Sequence, residues 1–299
     1  MADRSKTSAS PQGPRLSRRL YAAVVMVVLA ATLGLATYAW FTSNMKVNTN
    51  SVSVHSDTSE LVLELGDAQA GSWSQTGDAS LASNEGAGLT LYPVSTFDLS
   101  GFAECVQNNA AGDATSFEEA DSAHYYHGWL DMRPRVTGTG ASKVGGKVNL
   151  YLSESLVPAG TDATLLRAAR VGIKISSGGQ VLATDIFTLD NSDSGHRAEH
   201  PNTQPTGLAG YQPGMLLGWQ NGRLACSADV AQDFNGYVMD TSETATRPQN
   251  ALATLSLGQT YRLDVYYYLE GTDPDSADYL YDNVGDLHVG LFATLDGEA

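Results

Sequence analysis

The sequence predicts an all-β protein, an antiparallel β-sandwich of jelly-roll or immunoglobulin-like kind preceded by one apolar N-terminal helix. Hydrophobicity alternates with a period of two along most of the chain, which puts successive side chains on opposite faces of half-buried strands. No long stripe of helical period interrupts these segments. Gly, Ser, Thr, Asn and Asp crowd the stretches between them, where turns need backbone freedom or local hydrogen bonds. One uncharged run, Leu20 to Phe41, stands apart from this pattern.

That run is 22 residues long. At 1.5 Å rise per residue a helix of this length crosses a bilayer core of about 30 Å. Arg15, Arg18 and Arg19 stand directly before it. Basic residues stay on the cytoplasmic side of such a segment, so residues 1–19 form a cytoplasmic region and residues 42–299 an extracellular body. Two outcomes stay open. The length favours a retained membrane anchor, because secretory signals have shorter apolar cores of about 7–15 residues. The small residues of Thr37-Tyr38-Ala39 favour a signal peptide cleaved after Ala39 by a signal peptidase.

The alternating segments follow in order. Leu61, Leu63 and Leu65 alternate with Val62 and Glu64; Val148, Leu150 and Leu152 alternate with Asn149 and Tyr151. Val171, Ile173 and Ile175 alternate with Gly172 and Lys174. Tyr261, Leu263, Val265, Tyr267 and Leu269 share one face, and Arg262, Asp264, Tyr266 and Tyr268 the other. Leu287, Val289, Leu291, Ala293 and Leu295 close the series. Further strands are expected over 47–54, 89–94, 125–131, 180–188, 235–239 and 252–257, and one short helix near 162–169. Linkers rich in Gly, Ser, Ala and Asp occupy 66–88, 107–123, 190–212 and 241–250; the last two flank an excursion over 213–239. The body reads as one elaborated domain, with a split near 190–210 as the alternative.

Charge narrows the function classes. Residues 1–19 hold five basic residues and one acid, which leaves 12 of the 17 basic and 32 of the 33 acidic residues for the rest, a balance of −20. So acidic a body repels phosphate backbones, and nucleic-acid binding is not expected. The two cysteines, Cys105 and Cys226, could pair outside the cell. Closing a loop of that size adds roughly 4–5 kcal/mol in the chain-entropy model.

Few residues point to chemistry. Asp273, Asp275, Asp278 and Asp282 crowd the connection before the last strand, with Glu270 just ahead of them. Oxygen ligands of this kind suit calcium, although the spacing is not that of an EF-hand. His124 and His127 are three apart on an expected strand and so point to opposite faces. His196 and His200 lie in a Gly- and Pro-bearing loop. In residues 140–148 the first Gly is one place out for a phosphate loop, Lys147 precedes Val148 rather than Ser or Thr, and a βαβ context is absent. No nucleophile elbow or Ser-x-x-Lys motif occurs, so no enzyme site is expected. Trp73, Trp129, Trp219 and the tyrosines could stack on sugar rings or serve as core residues.

Tyr38-Ala39-Trp40-Phe41-Thr42-Ser43-Asn44, followed by Val47, Val52 and Val54, resembles the junction of exported Gram-positive proteins of the TasA/camelysin type. Leu91-Tyr92-Pro93-Val94, Leu166-Arg167-Ala168-Ala169-Arg170-Val171 and Tyr268-Leu269-Glu270-Gly271-Thr272-Asp273-Pro274-Asp275 resemble stretches of surface proteins with that junction. In the last, Ser276 stands where those chains have Cys. The resemblance implies a dedicated signal peptidase and a secreted or membrane-anchored β-sandwich. It also implies a subunit of an extracellular matrix fibre, a homopolymer in which residues 45–54 complete a neighbour's sheet. The alternative is that 45–54 pairs within its own domain. A surface adhesin that recognises glycan or protein through loops such as 190–212 is the competing function.

Overall fold

The structure, a computed structural model, describes residues 51–56, 61–67, 69–74, 78–79, 81–83, 91–108, 114–137, 146–152, 168–189, 205, 208–212, 215–228, 232–233, 251–273 and 288–296. The chain divides into Met1–Ser43 and Asn44–Ala299, and every described residue belongs to the second unit. The expected apolar helix over 20–41, the Ala39 junction and the expected strand over 235–239 lie outside the described residues. So does the expected helix near 162–169, apart from its last two residues. Among the described residues no helix is long and apolar enough to cross a membrane.

The described strands are β1 (Ser51–Ser56), β2 (Leu61–Asp67), β3 (Ser72–Ser74), β4 (Asp78–Ala79), β5 (Ala82–Ser83), β6 (Pro93–Ser95), β7 (Ala103–Asn108), β8 (Ala114–Glu119) and β9 (Tyr126–Val136). They continue with β10 (Lys147–Leu152), β11 (Ala169–Ser177), β12 (Gln180–Thr188), β13 (Met215–Gln220), β14 (Arg223–Ala228), β15 (Gln232–Asp233), β16 (Ala253–Ser256), β17 (Tyr261–Glu270) and β18 (His288–Leu295). The described elements are almost all strands, as expected, apart from a 3₁₀ turn over Ser122–His124.

Pairing is mixed where the sequence predicted it to be antiparallel. One sheet has the order β16-β10-β18-β1-β4. The larger sheet centres on β17, which pairs β11 on one edge and β9, then β6, on the other. β11 leads to β12 and β15, β9 to β2, β3 and β5, and β6 to β7 and β8. Three pairs are parallel: β1 with β18, β6 with β17 and β12 with β15. A parallel pair needs a long crossover. For β1 and β18 that crossover is the whole body between them, and no local pattern announces such a pair.

Period-two patterning decides which face is buried. Leu61, Leu63 and Leu65 from β2, Val171, Ile173 and Ile175 from β11, and Leu263, Val265 and Tyr267 from β17 share one apolar cluster with residues of the other sheet. That sheet contributes Val148, Leu150 and Leu152 from β10, Leu255 from β16, and Val289, Leu291, Ala293 and Leu295 from β18. Face-to-face burial of this kind is the main favourable term in folding.

The opposite face of β17 is covered in part. Leu99 and Phe102 pack there with Val94, Ile186, Tyr266 and Tyr268. The covering loop is tied down by polar contacts. Thr96 Oγ1 accepts from the Leu99 amide (3.1 Å), which holds Leu99 at φ 55°, a rare conformation for a residue with a side chain. Lys174 Nζ donates to Ser100 Oγ (2.8 Å), and Gln220 Nε2 to Asp98 Oδ2 (2.6 Å). Gly101 lies so close to β13 that a Cβ there would sit 1.9 Å from the Trp219 carbonyl oxygen.

β13 and β14 form a separate hairpin across Asn221-Gly222, both at positive φ, over a small cluster of Ala103, Leu208, Tyr211 and Leu217. This hairpin occupies part of the expected 213–239 excursion.

Leu263 is fully buried in the central strand. Replacing it with Ala costs about 2–5 kcal/mol of stability, as cavity formation in a packed core does. Chemical denaturation reads this directly. Val181→Ala, at an exposed position, shifts the same curve by no more than about 0.5 kcal/mol.

Candidate functional site

Two places gather the residues singled out from the sequence. The first is the C-terminal end of β17. Pro93 and Val94 of β6 pair with Leu269 and Glu270, and the Gly271 amide donates to the Val94 carbonyl (2.9 Å). A Cβ on Gly271 would press on the Pro93 carbonyl at 3.1 Å, so the chain turns here through a residue without a side chain. Glu270 Oε1 accepts from the Thr272 amide (3.1 Å) and hydroxyl (2.9 Å). Arg170 of β11 donates through Nη2 to Asp273 Oδ2 (3.2 Å) with both side chains buried. The three stretches around Pro93, Arg170 and Glu270 thus converge, although more than a hundred residues separate the first from the last.

This geometry bears on the calcium expectation. Asp273 is committed to a guanidinium in a buried pair, and a cation that close competes with a metal for the same oxygen. Asp275, Asp278 and Asp282 lie outside the described residues. Among the described residues no group of three or more His, Cys, Asp or Glu side chains could hold a metal ion.

The second place is the outer face of β9 and β17, on the side of the sheet away from the shared core. Register sets Trp129 opposite Asp264, His127 opposite Tyr266 and Asp131 opposite Arg262. His127 Nε2 and Arg262 Nε both donate to Asp264 Oδ1, at 2.9 and 3.0 Å. The His127 ring stacks on Tyr266 with centroids 4.4 Å apart and lies 5.1 Å from the Trp129 ring. The Arg262 guanidinium sits over Trp129 at 5.1 Å. One strand further, Glu64 of β2 accepts from Arg133 Nε (2.8 Å) and Nη2 (2.6 Å) and from Arg135 Nη1 (3.2 Å). The Arg133 guanidinium lies over Trp73 of β3 at 4.3 Å. Burial pushes the Asp264 carboxyl up, but the hydrogen bonds from His127 and Arg262, with their charges, prevail and hold it below its ordinary value. Burial also raises the Tyr266 hydroxyl, and the Asp264 charge adds to this.

No protein-family model matches the chain, and no curated protein or solved structure matches it.

The remaining expectations fall as follows. His124 and His127 do not converge: His124 Nδ1 pairs Glu104 Oε2 (2.6 Å), far along the sequence from the Asp264 that holds His127. Cys226 carries a free thiol packed near Leu217 and Phe117, so the expected Cys105–Cys226 bridge is not formed. Its strand closes the β13–β14 hairpin, while Cys105 sits in β7 of the large sheet. His196, His200 and residues 140–145 lie outside the described residues; Lys147 opens β10. The arginine-on-tryptophan contacts were missed. Their sequence signal was the outward parity of Trp129, Arg262 and Asp264 on the two most regular strands.

Two consequences are measurable. Removing one partner of the Arg170–Asp273 pair, by Arg170→Ala or Asp273→Ala, lowers stability by about 3–5 kcal/mol, because the other charge stays buried without its counter-ion. A double-mutant cycle in urea checks it, and the double variant loses less than the two singles together. Asp264→Asn costs about 1–3 kcal/mol near neutral pH, the range for charge-assisted hydrogen bonds. A carboxyl whose folded pKa is depressed stabilises the fold above its unfolded pKa, near 4, and loses that contribution as pH falls through the folded value. The difference between wild type and Asp264→Asn therefore shrinks in unfolding curves recorded at successively lower acidic pH.

Proposed function

We propose that residues 42–299 are the exported body of a structural surface or matrix protein, a β-sandwich that assembles by exchanging its first strand between copies. The single observation that carries this reading is the seat of β1. Among the described residues it lies inside the five-stranded sheet, parallel to β18 in the register Val52–Val289 and Val54–Leu291, with the two residues of β4 on its other edge. Residues 51–56 therefore pair within their own domain, the arrangement named above as the alternative to donation, and exchange reuses the same register between copies.

That arrangement also suits exchange. A strand at the start of the body can withdraw without unthreading the chain, and its departure bares the edge of β18. A bare edge is a template for the same segment of another copy, because main-chain bonds supply affinity and alternate side-chain positions supply register. Swapping an identical element requires no new interface chemistry.

The shared core of the two sheets supports the sandwich reading, of jelly-roll or immunoglobulin-like kind. Export is supported by the arginine-flanked run over 20–41, whether it anchors the body or is cleaved after Ala39. The junction's likeness to the TasA/camelysin type agrees with both. The role is non-enzymatic and its main partner is a second copy of the chain.

A cysteine pair separates home pairing from exchange. In the chain beginning at Trp40, with Cys105→Ser and Cys226→Ser, the substitutions Ser51→Cys and His288→Cys face each other in the β1–β18 register. Monomers cross-link within one chain. Filaments seen by negative stain cross-link between chains, giving a ladder on a non-reducing gel. Filaments that cross-link only within chains, or no filaments at high concentration, would sink the proposal.

A further inference from the structure

We infer that the outer face of β2, β3, β9 and β17, centred on Trp129, is a binding platform for a neutral polysaccharide. This site stands whether or not copies assemble by strand exchange.

The argument starts from what that face is made of. An outward sheet face commonly pairs opposite charges and aromatics across its strands. Here it carries two tryptophans, each with a guanidinium over its ring, and two carboxylates that hold those guanidinia in place. Glu64 is 4% exposed and Asp264 10%, yet the groups they anchor reach outward: Arg135 is 52% exposed and Arg262 45%. The buried layer fixes the exposed layer. Such preorganisation lowers the ordering cost of binding. The other half of the same face is already covered by Leu99, Phe102 and Tyr125, so the platform is the remainder.

Charge selects the ligand class. Arg133, Arg135 and Arg262 are matched on this face by Glu64, Asp264 and Asp131, so it is close to neutral from within. It offers little net attraction to an ion. The body around it carries −20 and repels polyanions. Directional donors and acceptors remain, as planar guanidinium and imidazole groups beside half-buried rings. A sugar chain matches that set: its hydroxyls bond to the planar groups while its C–H faces pack beside the guanidinium-capped indoles. Trp129 stands on β9 and Trp73 on β3, with β2 between the two strands. An extended chain of several sugars meets both better than a single one does.

The test is affinity electrophoresis of the full chain in mild detergent through gels holding hydroxyethyl cellulose, laminarin or mannan, with alginate as the uronate arm. Wild type is retarded by at least one neutral polymer. Trp129→Ala weakens retardation about three- to ten-fold, the span expected for one lost aromatic stack, and Trp129→Tyr restores most of it. Arg262→Ala, at an exposed position, also weakens retardation, and it guards against a Trp129 variant that fails to fold. Leu182→Ser, on exposed β12, leaves retardation unchanged. Three results overturn the inference: no retardation by any neutral polymer, stronger retardation by alginate, or retardation that Trp129→Ala and Arg262→Ala leave intact.

Discussion

The larger sheet is arranged around β17, the strand hydrogen-bonded along both edges and buried along most of its length. One face closes the apolar core shared by the two sheets. The other carries Tyr266 and Tyr268 beneath the 91–102 loop, and Arg262 and Asp264 toward the open platform. A strand so placed has no slack in register. A one-residue slip would drive Arg262 and Asp264 into the core and Leu263 and Val265 out of it. The turn after the strand makes the placement stricter still. There Glu270 folds back on Thr272, and Asp273 meets Arg170 from the neighbouring strand. A buried ion pair adds little net stability by itself, but a misregistered chain leaves both charges unpaired.

The same strand links stability to function. Because its core face is fixed, its outer face is a rigid plane on which side chains keep constant spacing. The buried carboxylates of Asp264 and Glu64 work as anchors for groups that reach solvent. In the five-stranded sheet, among the described residues, β1 pairs β18 on one edge and two residues of β4 on the other. Trp129, Arg262 and Asp264 sit in the larger sheet, and β1 sits in the five-stranded one.

Much of the fold was legible in the chain. The Tyr261–Leu269 and Val289–Leu295 alternations named their core faces correctly, as did Leu61–Leu65, Val148–Leu152 and Val171–Ile175. The Asn221-Gly222 hairpin was passed over within an expected excursion, although Asn-Gly is a strong short-range turn signal. The parallel pairs and the Arg170–Asp273 contact had no local signal, since each joins segments distant in sequence. Asp273 read as a metal ligand because an acidic cluster looks the same on a line of letters whether or not an arginine is waiting across the sheet. The Cys105–Cys226 bridge failed for a related reason: two cysteines state their number but not their separation.

By itself the sequence determined the class of structure, the inward face of each regular strand and the acidic character of the body. These depend on side-chain period and composition, which are local and additive. The tertiary structure alone decided which strands are neighbours, that the first strand runs beside the last, and that Trp129 shares a plane with Arg262 and Asp264. Those facts depend on register between strands far apart in the chain. Register is chosen by burial of the whole core at once, a quantity no single segment carries.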